Sequence, residues 1–408
     1  MKKKLLPALI VTGLIILVVI IMGITALINK YTPTKKTEDL KEYFNISSDD
    51  EAALIVDNEL SDYKAKIIDK KIYVDYKFVH DSLNSRFYWD ANENVLLYTT
   101  ASDIISAAAD SNSYSVTKQT NDFGYPIVKA TSDSALIALD YVKQYSNITF
   151  KSYDDPARIV ITSKWDEIDS ATVSKSTQIR VKGGIKSPIL KEVKKDDKIT
   201  ILDSGDKWDK VATEDGVIGY IKRKALSESK KTKLTNPDYE EETFTHIKKD
   251  KDICLAWNQV TSQSANSKVP QVISSTKGIN VMSPTWFYLN DNNGNLADIA
   301  SKDYVSYCHS QGIEVWGLFS NFENTDVDAA YVLTHTSTRT TLINQIMSAA
   351  FNYELDGVNI DFENITEAAY GDSYIEFIRE LAIKCHNNGI SLSVDVTVPA
   401  SFNKFFNR

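Results

Sequence analysis

The sequence predicts a multidomain chain: an N-terminal transmembrane helix, a small α+β domain, a small β-barrel and an incomplete (β/α)8 TIM barrel of five strands. Three observations predict this architecture: an uncharged stretch near the N-terminus, short alternating strands in the middle, and buried strands that alternate with helical patterns at the end. The 408 residues are 25% charged and 43% hydrophobic, which is ordinary globular composition. The predicted segments are 1–30 (anchor), 31–49 (tether), 50–170 (α+β domain), 171–227 (β-barrel), 228–244 (linker) and 245–408 (TIM barrel).

The first segment predicts a membrane anchor. The stretch from Leu5 to Ile28 carries no charge, and a helix of that length reaches about 36 Å, enough to cross a hydrocarbon core of about 30 Å. The three lysines that precede it, Lys2, Lys3 and Lys4, stay cytoplasmic under the positive-inside rule. We therefore expect a single-pass helix in the cell membrane with the bulk of the chain outside the cell. A cleaved signal sequence is the alternative.

The charge and the metal-binding residue types narrow the choice of partners. The net charge is −9 and the sequence has no basic stripe, so we expect no nucleic-acid partner. The three cysteines and five histidines are scattered along the chain without the spacing of a known metal motif. We therefore expect neither a metal site nor a cofactor.

Segment 50–170 contains an internal repeat. Arg86–Thr100 and Phe150–Trp165 each have the pattern of a β-hairpin, with the same spacing from an aspartate to an apolar strand. A short helical stretch precedes each hairpin, at Tyr76–Leu83 and Ser134–Tyr145. The duplicated strand–helix–hairpin unit resembles the N-terminal-like domain of copper amine oxidases, which implies a spacer or wall-contacting module. No histidine cluster is present for copper chemistry.

Segment 171–227 alternates short strands with Gly and Asp turns, which predicts a small β-barrel. The predicted strands are Ile179–Val181, Lys198–Leu202, Trp208–Ala212 and Val217–Ile221. The segment resembles a bacterial Src-homology-3-like domain, and such domains commonly contact cell-wall peptides or polysaccharide. Trp208 and Tyr220 match the aromatic strands of that family, either as core residues or facing a ligand.

The sequence from Lys251 onward has five apolar runs, too continuous for strands with a solvated face. Helical patterns at Ala297–Gln311, Thr338–Tyr353 and Tyr374–Asn388 separate them. Strands buried on both faces and alternating with helices predict a parallel sheet of βαβ units. A series of five favours the first part of a TIM barrel, in which catalytic groups lie at the carboxyl ends of the strands.

The fourth run, LDGVNIDFENI (355–365), carries the strongest functional signal. Its residues alternate between an apolar set and a polar set: Val358, Ile360 and Phe362 against Asn359, Asp361 and Glu363. We expect the apolar set to face the helices and the polar set to face inward, with Glu363 nearest the rim. Burying unpaired carboxylates costs several kcal/mol, so a purely structural role is disfavoured.

The segment 356–363, DGVNIDFE, resembles the DGxDxDxE signature of glycoside hydrolase family 18, and the sequence from Lys251 is similar to spore-cortex and cell-wall N-acetylglucosaminidases of that family. The resemblance implies substrate-assisted, retaining hydrolysis of β-1,4-linked N-acetylglucosamine, with peptidoglycan as first choice and chitin as second. It makes Glu363 the general acid and Asp361 the residue that holds the substrate's acetamido group. Asn359 replaces the family's central aspartate, so we expect Asp361 to ionise more readily than in the common chitinases.

Five further residues at strand ends are candidates for substrate binding: Trp257, Asn258, Trp286, Asn321 and Asp395. Strand-end aromatic rings stack on sugar faces, although they can equally belong to the core. A complete barrel has eight strands, whereas the sequence stops after the fifth. We therefore expect either a piece of a longer protein or a truncated gene. Under truncation the alternative function is a non-catalytic wall-binding or scaffold protein.

Overall fold

The structure is a computed structural model that describes residues 2–365 and 367–396. The chain forms two compact units: Met1–Tyr73 with Lys143–Tyr239, and Val74–Val142 with Glu240–Arg408. The architecture is therefore multidomain, but its boundaries differ from the prediction. Segment 50–170, predicted as one domain, is divided between the two units.

The N-terminal helix runs from Lys2 to Tyr31. Its part from Ile10 to Tyr31 is long and apolar enough to cross a membrane, a test that a signal sequence also passes. The large apolar side chains of this part are about half exposed or more. A continuous apolar surface of this kind is typical of a segment that contacts another apolar phase.

The predicted tether, 31–49, is in fact packed onto the first unit. A short helix, Leu40–Tyr43, begins where the Asp39 side chain accepts a hydrogen bond from a backbone N–H. Phe44 follows it and is fully buried in a hydrophobic cluster of this unit. The Tyr43 hydroxyl donates to the carbonyl of Ile218 at 2.6 Å. Burial of an aromatic ring accounts for the order that the polar composition did not predict.

Two sheets make up most of the first unit. In one sheet, five strands lie in the spatial order Thr149–Tyr153, Arg158–Thr162, Glu51–Val56, Glu59–Ile68 and Lys71–Asp75. The other sheet is antiparallel, in the order Ile189–Val193, Thr177–Arg180, Ile218–Lys222, Trp208–Thr213, Lys198–Asp203, Glu167–Thr172 and Lys230–Lys233. All four strands predicted in 171–227 are present. The sheet extends beyond them, because Lys230–Lys233, predicted as linker, pairs with Glu167–Thr172.

Both hairpins predicted in 50–170 are present, but the predicted helical stretch Ser134–Tyr145 begins as a strand, Ala135–Ala138. The first copy is the strand Lys71–Asp75, short helical turns and an antiparallel hairpin. The second copy is the strand Ala135–Ala138, the helix Leu139–Gln144 and another antiparallel hairpin. The hairpin of the first copy continues into a five-stranded antiparallel sheet of the second unit: Phe87–Asp90, Val95–Thr99, Ile104–Ala108, Ser113–Val116 and Gln119–Asp122.

The predicted parallel sheet lies in the second unit, with its five strands hydrogen-bonded in chain order. We number them β1 Leu255–Asn258, β2 Val281–Leu289, β3 Glu314–Ser320, β4 Gly357–Asp361 and β5 Ser391–Val394. The helices between them are α1 Val269–Ser274, α2 Lys302–Ser310, α3 Ala329–Thr334, α4 Thr336–Tyr353 and α5 Glu367–Asn387. A short strand, Leu296–Asp298, pairs antiparallel with β2.

The apolar face of β4 packs against the helices, as predicted. Val358, Ile360 and Phe362 are buried in one cluster with residues of α4 and α5. The Phe362 ring stacks on the rings of Tyr374 and Phe377, with centroids 6.2 and 5.4 Å away. Since strand side chains alternate, the polar set lies on the opposite face.

The antiparallel sheet of the second unit is joined to the helices of the parallel sheet by buried polar contacts. The Tyr88 hydroxyl and the Ser373 hydroxyl are 2.8 Å apart. The buried Asp90 carboxylate accepts from both the backbone N–H and the hydroxyl of Thr336, each at 2.6 Å, at the start of α4. These contacts explain why 74–142 belongs to the same compact unit as the parallel sheet.

Candidate active site

Three polar residues follow one another along the inner face of β4 and the residues just after it. Asn359 is 1% exposed, Asp361 is half-buried and Glu363 is exposed. Exposure therefore rises toward the carboxyl end of the strand, where a parallel α/β sheet places its reacting groups. Glu363 lies just beyond the end of β4, where its side chain is exposed.

Asn359 is held by two side chains of the neighbouring strand and the residue after it. The Ser393 hydroxyl donates to Asn359 Oδ1 at 2.5 Å, and Asn359 Nδ2 donates to Asp395 Oδ2 at 2.7 Å. The backbone N–H of Asp395 donates to the carbonyl of Ile360 at 2.8 Å. This bond continues the β4–β5 ladder and brings Asp395 beside Asp361, because the backbones of neighbouring strands lie about 5 Å apart.

The surroundings of Asp361 favour its protonated form. Burial, followed by the negative charges of Asp395, Glu363 and Glu323, raises the pKa of Asp361 to about 6. The sequence reasoning expected easy ionisation because Asn359 carries no charge. That comparison with the common chitinases stays a prediction; in this chain burial, and after it the Asp395 carboxylate from β5, favours the protonated form of Asp361.

Asn321, predicted to bind substrate, instead contacts the backbone of Glu363. Its Oδ1 accepts from the Glu363 N–H at 2.8 Å, and its Nδ2 donates to the Glu363 carbonyl at 3.0 Å. The two bonds use both ends of the amide. Asn321 therefore fixes the backbone from which the Glu363 side chain extends into solvent.

The two predicted residues of β1 point to opposite faces. Trp257 is 62% exposed, and its indole lies close enough to Asp395 to lower the pKa of that carboxyl group. Its ring is therefore available beside the carboxylates. Asn258 is turned toward the helices, where its Nδ2 donates to the hydroxyl of Tyr304 at 2.7 Å. The structure thus gives Asn258 a contact in the helix layer rather than at the inner face.

Trp286, also predicted to bind substrate, lies in the core. It is 0% exposed, its indole N–H donates to Asn266 Oδ1 at 2.8 Å, and its ring makes an edge contact with Tyr304. The pairing of β2 with β3 shifts register between Thr285 and Phe287, at this residue. Met282, four residues earlier on the same face of β2, is buried in the same cluster as Trp286, so the alternation of the strand itself accounts for the burial of Trp286.

Sequence reasoning missed two polar residues of the site. Ser393 orients the Asn359 amide, and Glu323 adds negative charge near Asp361 while accepting from the Ser320 hydroxyl at 2.5 Å. The alternation of Ser391, Ser393 and Asp395 along β5 was the available signal. Within the described residues, no group of three or more His, Cys, Asp or Glu is arranged to hold a metal ion.

Comparison with known proteins gives similar structures but no family. No family model matches the chain, and no curated protein matches it. A chitinase from Chromobacterium violaceum is 18% identical with a TM-score of 0.32, over 38% of this chain and 50% of that one. The spore cortex-lytic enzyme SleL of Bacillus megaterium is 18% identical with a TM-score of 0.32, over 38% of this chain and 37% of that one. SleL of Bacillus cereus is 19% identical with a TM-score of 0.31, over 38% and 36%. This chain thus spans half or less of each of these proteins.

Proposed function

We propose that the parallel-sheet region is a glycoside hydrolase that acts on β-1,4-linked N-acetylglucosamine in the cell envelope. The observation that carries the proposal is the carboxylate pair at the carboxyl end of β4. Asp361, its last residue, is half-buried, and Glu363, just after it, is exposed on a backbone that Asn321 holds by two hydrogen bonds. The likeness of DGVNIDFE to the family 18 signature supports the same reading.

In the proposed reaction Glu363 donates a proton to the glycosidic oxygen as the bond to the anomeric carbon breaks. The carbonyl oxygen of the substrate's own 2-acetamido group attacks that carbon, forming a cyclic cation. Asp361, when ionised, accepts a hydrogen bond from the acetamido N–H and stabilises this cation. Glu363 then takes a proton from water, which opens the ring with net retention of configuration.

Trp257 is the residue we propose for sugar binding. Its exposed ring lies near Asp395, so one ring face can stack on a pyranose. Because Asp395 adjoins Asp361, the stacked sugar would lie next to the reacting one.

The other segments fit an envelope location. We propose that the N-terminal helix is an uncleaved anchor and that the remainder lies outside the cell, with peptidoglycan as the substrate and chitin as second choice. The Src-homology-3-like and amine-oxidase-like segments would contact the wall. Support comes from the length and composition of Ile10–Tyr31 and from the cluster of lysines before it.

The test of the proposed chemistry compares matched substrates. The full chain in detergent micelles is incubated with purified peptidoglycan, with chitin oligosaccharides and with the same glycans after chemical removal of the N-acetyl groups. We expect release of reducing ends from acetylated glycan and at least about 100-fold slower release after deacetylation, since the nucleophile is removed. Equal rates would refute substrate assistance. No release from any glycan would refute the hydrolase and favour the wall-binding alternative.

A further inference from the structure

The carboxylates around Asp361 come from three parts of the sheet. Glu363 follows Asp361 on the same chain segment, Glu323 follows β3, and Asp395 follows β5. From α5 on the opposite face, Tyr374 adds a buried hydroxyl, whose pKa is raised by burial and then by Asp395 and Asp361. From β1, the neutral indole of Trp257 lies close to Asp395.

Asp395 differs from the other carboxylates because two successive side-chain hydrogen bonds connect it to Asn359 and Ser393. One oxygen accepts from Asn359 at 2.7 Å, and the Asn359 amide is itself fixed by the Ser393 hydroxyl at 2.5 Å. The backbone N–H of Asp395 donates to the carbonyl of Ile360 at 2.8 Å, so the residue is held beside Asp361 in a defined orientation. Burial raises the pKa of Asp395, and the hydrogen bond from Asn359 and the nearby indole of Trp257 oppose that rise.

We propose that Asp395 is a positioning residue, which supplies from β5 the carboxylate that position 359 lacks on β4 and thereby controls when Asp361 gives up its proton. The inference rests on the proposed function, because Asp361 must be ionised to hold the acetamido group. Asp361 and Asp395 would then act as a pair of carboxyl groups on adjacent strands, in which the negative charge of one disfavours ionisation of the other.

The inference predicts the direction of a pH shift. At present the charge of Asp395 helps to keep Asp361 protonated up to about pH 6. In Asp395→Asn this repulsion is absent, so Asp361 ionises at lower pH. We expect the acidic limb of the kcat/KM profile to move down by about half a pH unit or more. In Asn359→Asp/Asp395→Asn the charge is moved to β4, and we expect the limb to return toward the wild-type position.

A second measurement needs no substrate. The pKa of Asp361 is raised in the folded chain relative to the ordinary 3.8, so the folded state binds the extra proton and this stabilisation is lost as pH rises through about 6. We therefore expect the contribution of Asp361 and Asp395 to the free energy of unfolding of the wild-type chain to fall between about pH 4 and 6. This fall should be shallower in Asp395→Asn. It should be unchanged in Asp252→Asn, which replaces an exposed carboxylate before β1.

The two measurements separate the possible failures. The inference is supported if the acidic limb of the kcat/KM profile moves to lower pH in Asp395→Asn and returns in the double variant, or if the pH profile of stability becomes shallower. It is overturned if both the acidic limb and the stability profile stay at their wild-type positions. If the wild-type chain releases no reducing ends, the proposed function fails, and the stability profile alone then decides whether Asp395 controls Asp361.

Discussion

Replacing Asn321 by Ala tests whether that residue positions Glu363 or binds substrate. The Asn321 amide makes two hydrogen bonds to the Glu363 backbone, at 2.8 and 3.0 Å. Each such bond contributes about 0.5–1.5 kcal/mol net, so the pair is worth about 1–3 kcal/mol. If that energy holds the acid in its reactive position, kcat should fall by about 5- to 150-fold.

The assay is the rate of reducing-end release over a range of glycan concentrations by the full chain in micelles. A positioning role predicts a lower kcat with KM within about twofold, because the lost interaction holds the acid rather than the sugar. Asn321→Asp keeps the acceptor for the Glu363 N–H but loses the donor, so we expect an intermediate loss. Asn324→Ala, in the same loop, serves as the control.

The result that would refute this reasoning is a KM at least tenfold higher with unchanged kcat. That outcome would return Asn321 to the substrate-binding role predicted from its place at the end of β3. Far-UV circular dichroism of each variant verifies that the comparison is between folded proteins.

Three further predictions concern stability and binding. Arg339 is fully buried and donates to Glu380 at 3.0 Å. Arg339→Met should therefore destabilise the second unit by about 3–5 kcal/mol, measured by hydrogen exchange of α5 in the presence of urea. A cost below about 1 kcal/mol would contradict a stabilising ion pair. Phe44 is fully buried in the first unit, so Phe44→Ala should destabilise that unit by about 3–5 kcal/mol, measured by hydrogen exchange of its strands. An unchanged exchange pattern would support the prediction that 31–49 is a tether. Trp286→Ala should lower the free energy of unfolding, because this ring is buried in the core. Trp257→Ala should raise KM for the glycan and leave stability unchanged, because this ring is exposed. The reverse pattern would place the sugar at Trp286.

The sequence predicted the parts of the fold that follow from periodicity. The alternation in 355–365 placed Phe362 in the helix layer and left Glu363 exposed, because a strand's two faces are fixed by a period of two. Apolar runs separated by helical patterns likewise predicted the five parallel strands in their observed order. Both signals are local and need no knowledge of distant contacts.

What the sequence did not predict depends on contacts between distant segments. The bonds of Asn321 to the Glu363 backbone and of Asn359 to Asp395 exist only once β3, β4 and β5 are in register. Trp286 lies in the core, where its indole N–H donates to Asn266 from a segment that precedes β2. The Asp90 carboxylate accepts from the start of α4, more than 240 residues later, a contact that no local pattern predicts.

The central claim is that Glu363 protonates the glycosidic oxygen. The most direct measurement is the initial rate of reducing-end release from peptidoglycan by the wild-type chain, Glu363→Gln and the exposed control Glu354→Gln, each in micelles near pH 6. We predict a loss of about 10²- to 10⁴-fold for Glu363→Gln, the usual contribution of a general acid, and a wild-type rate for the control. Rates for Glu363→Gln within threefold of the wild type would contradict the account.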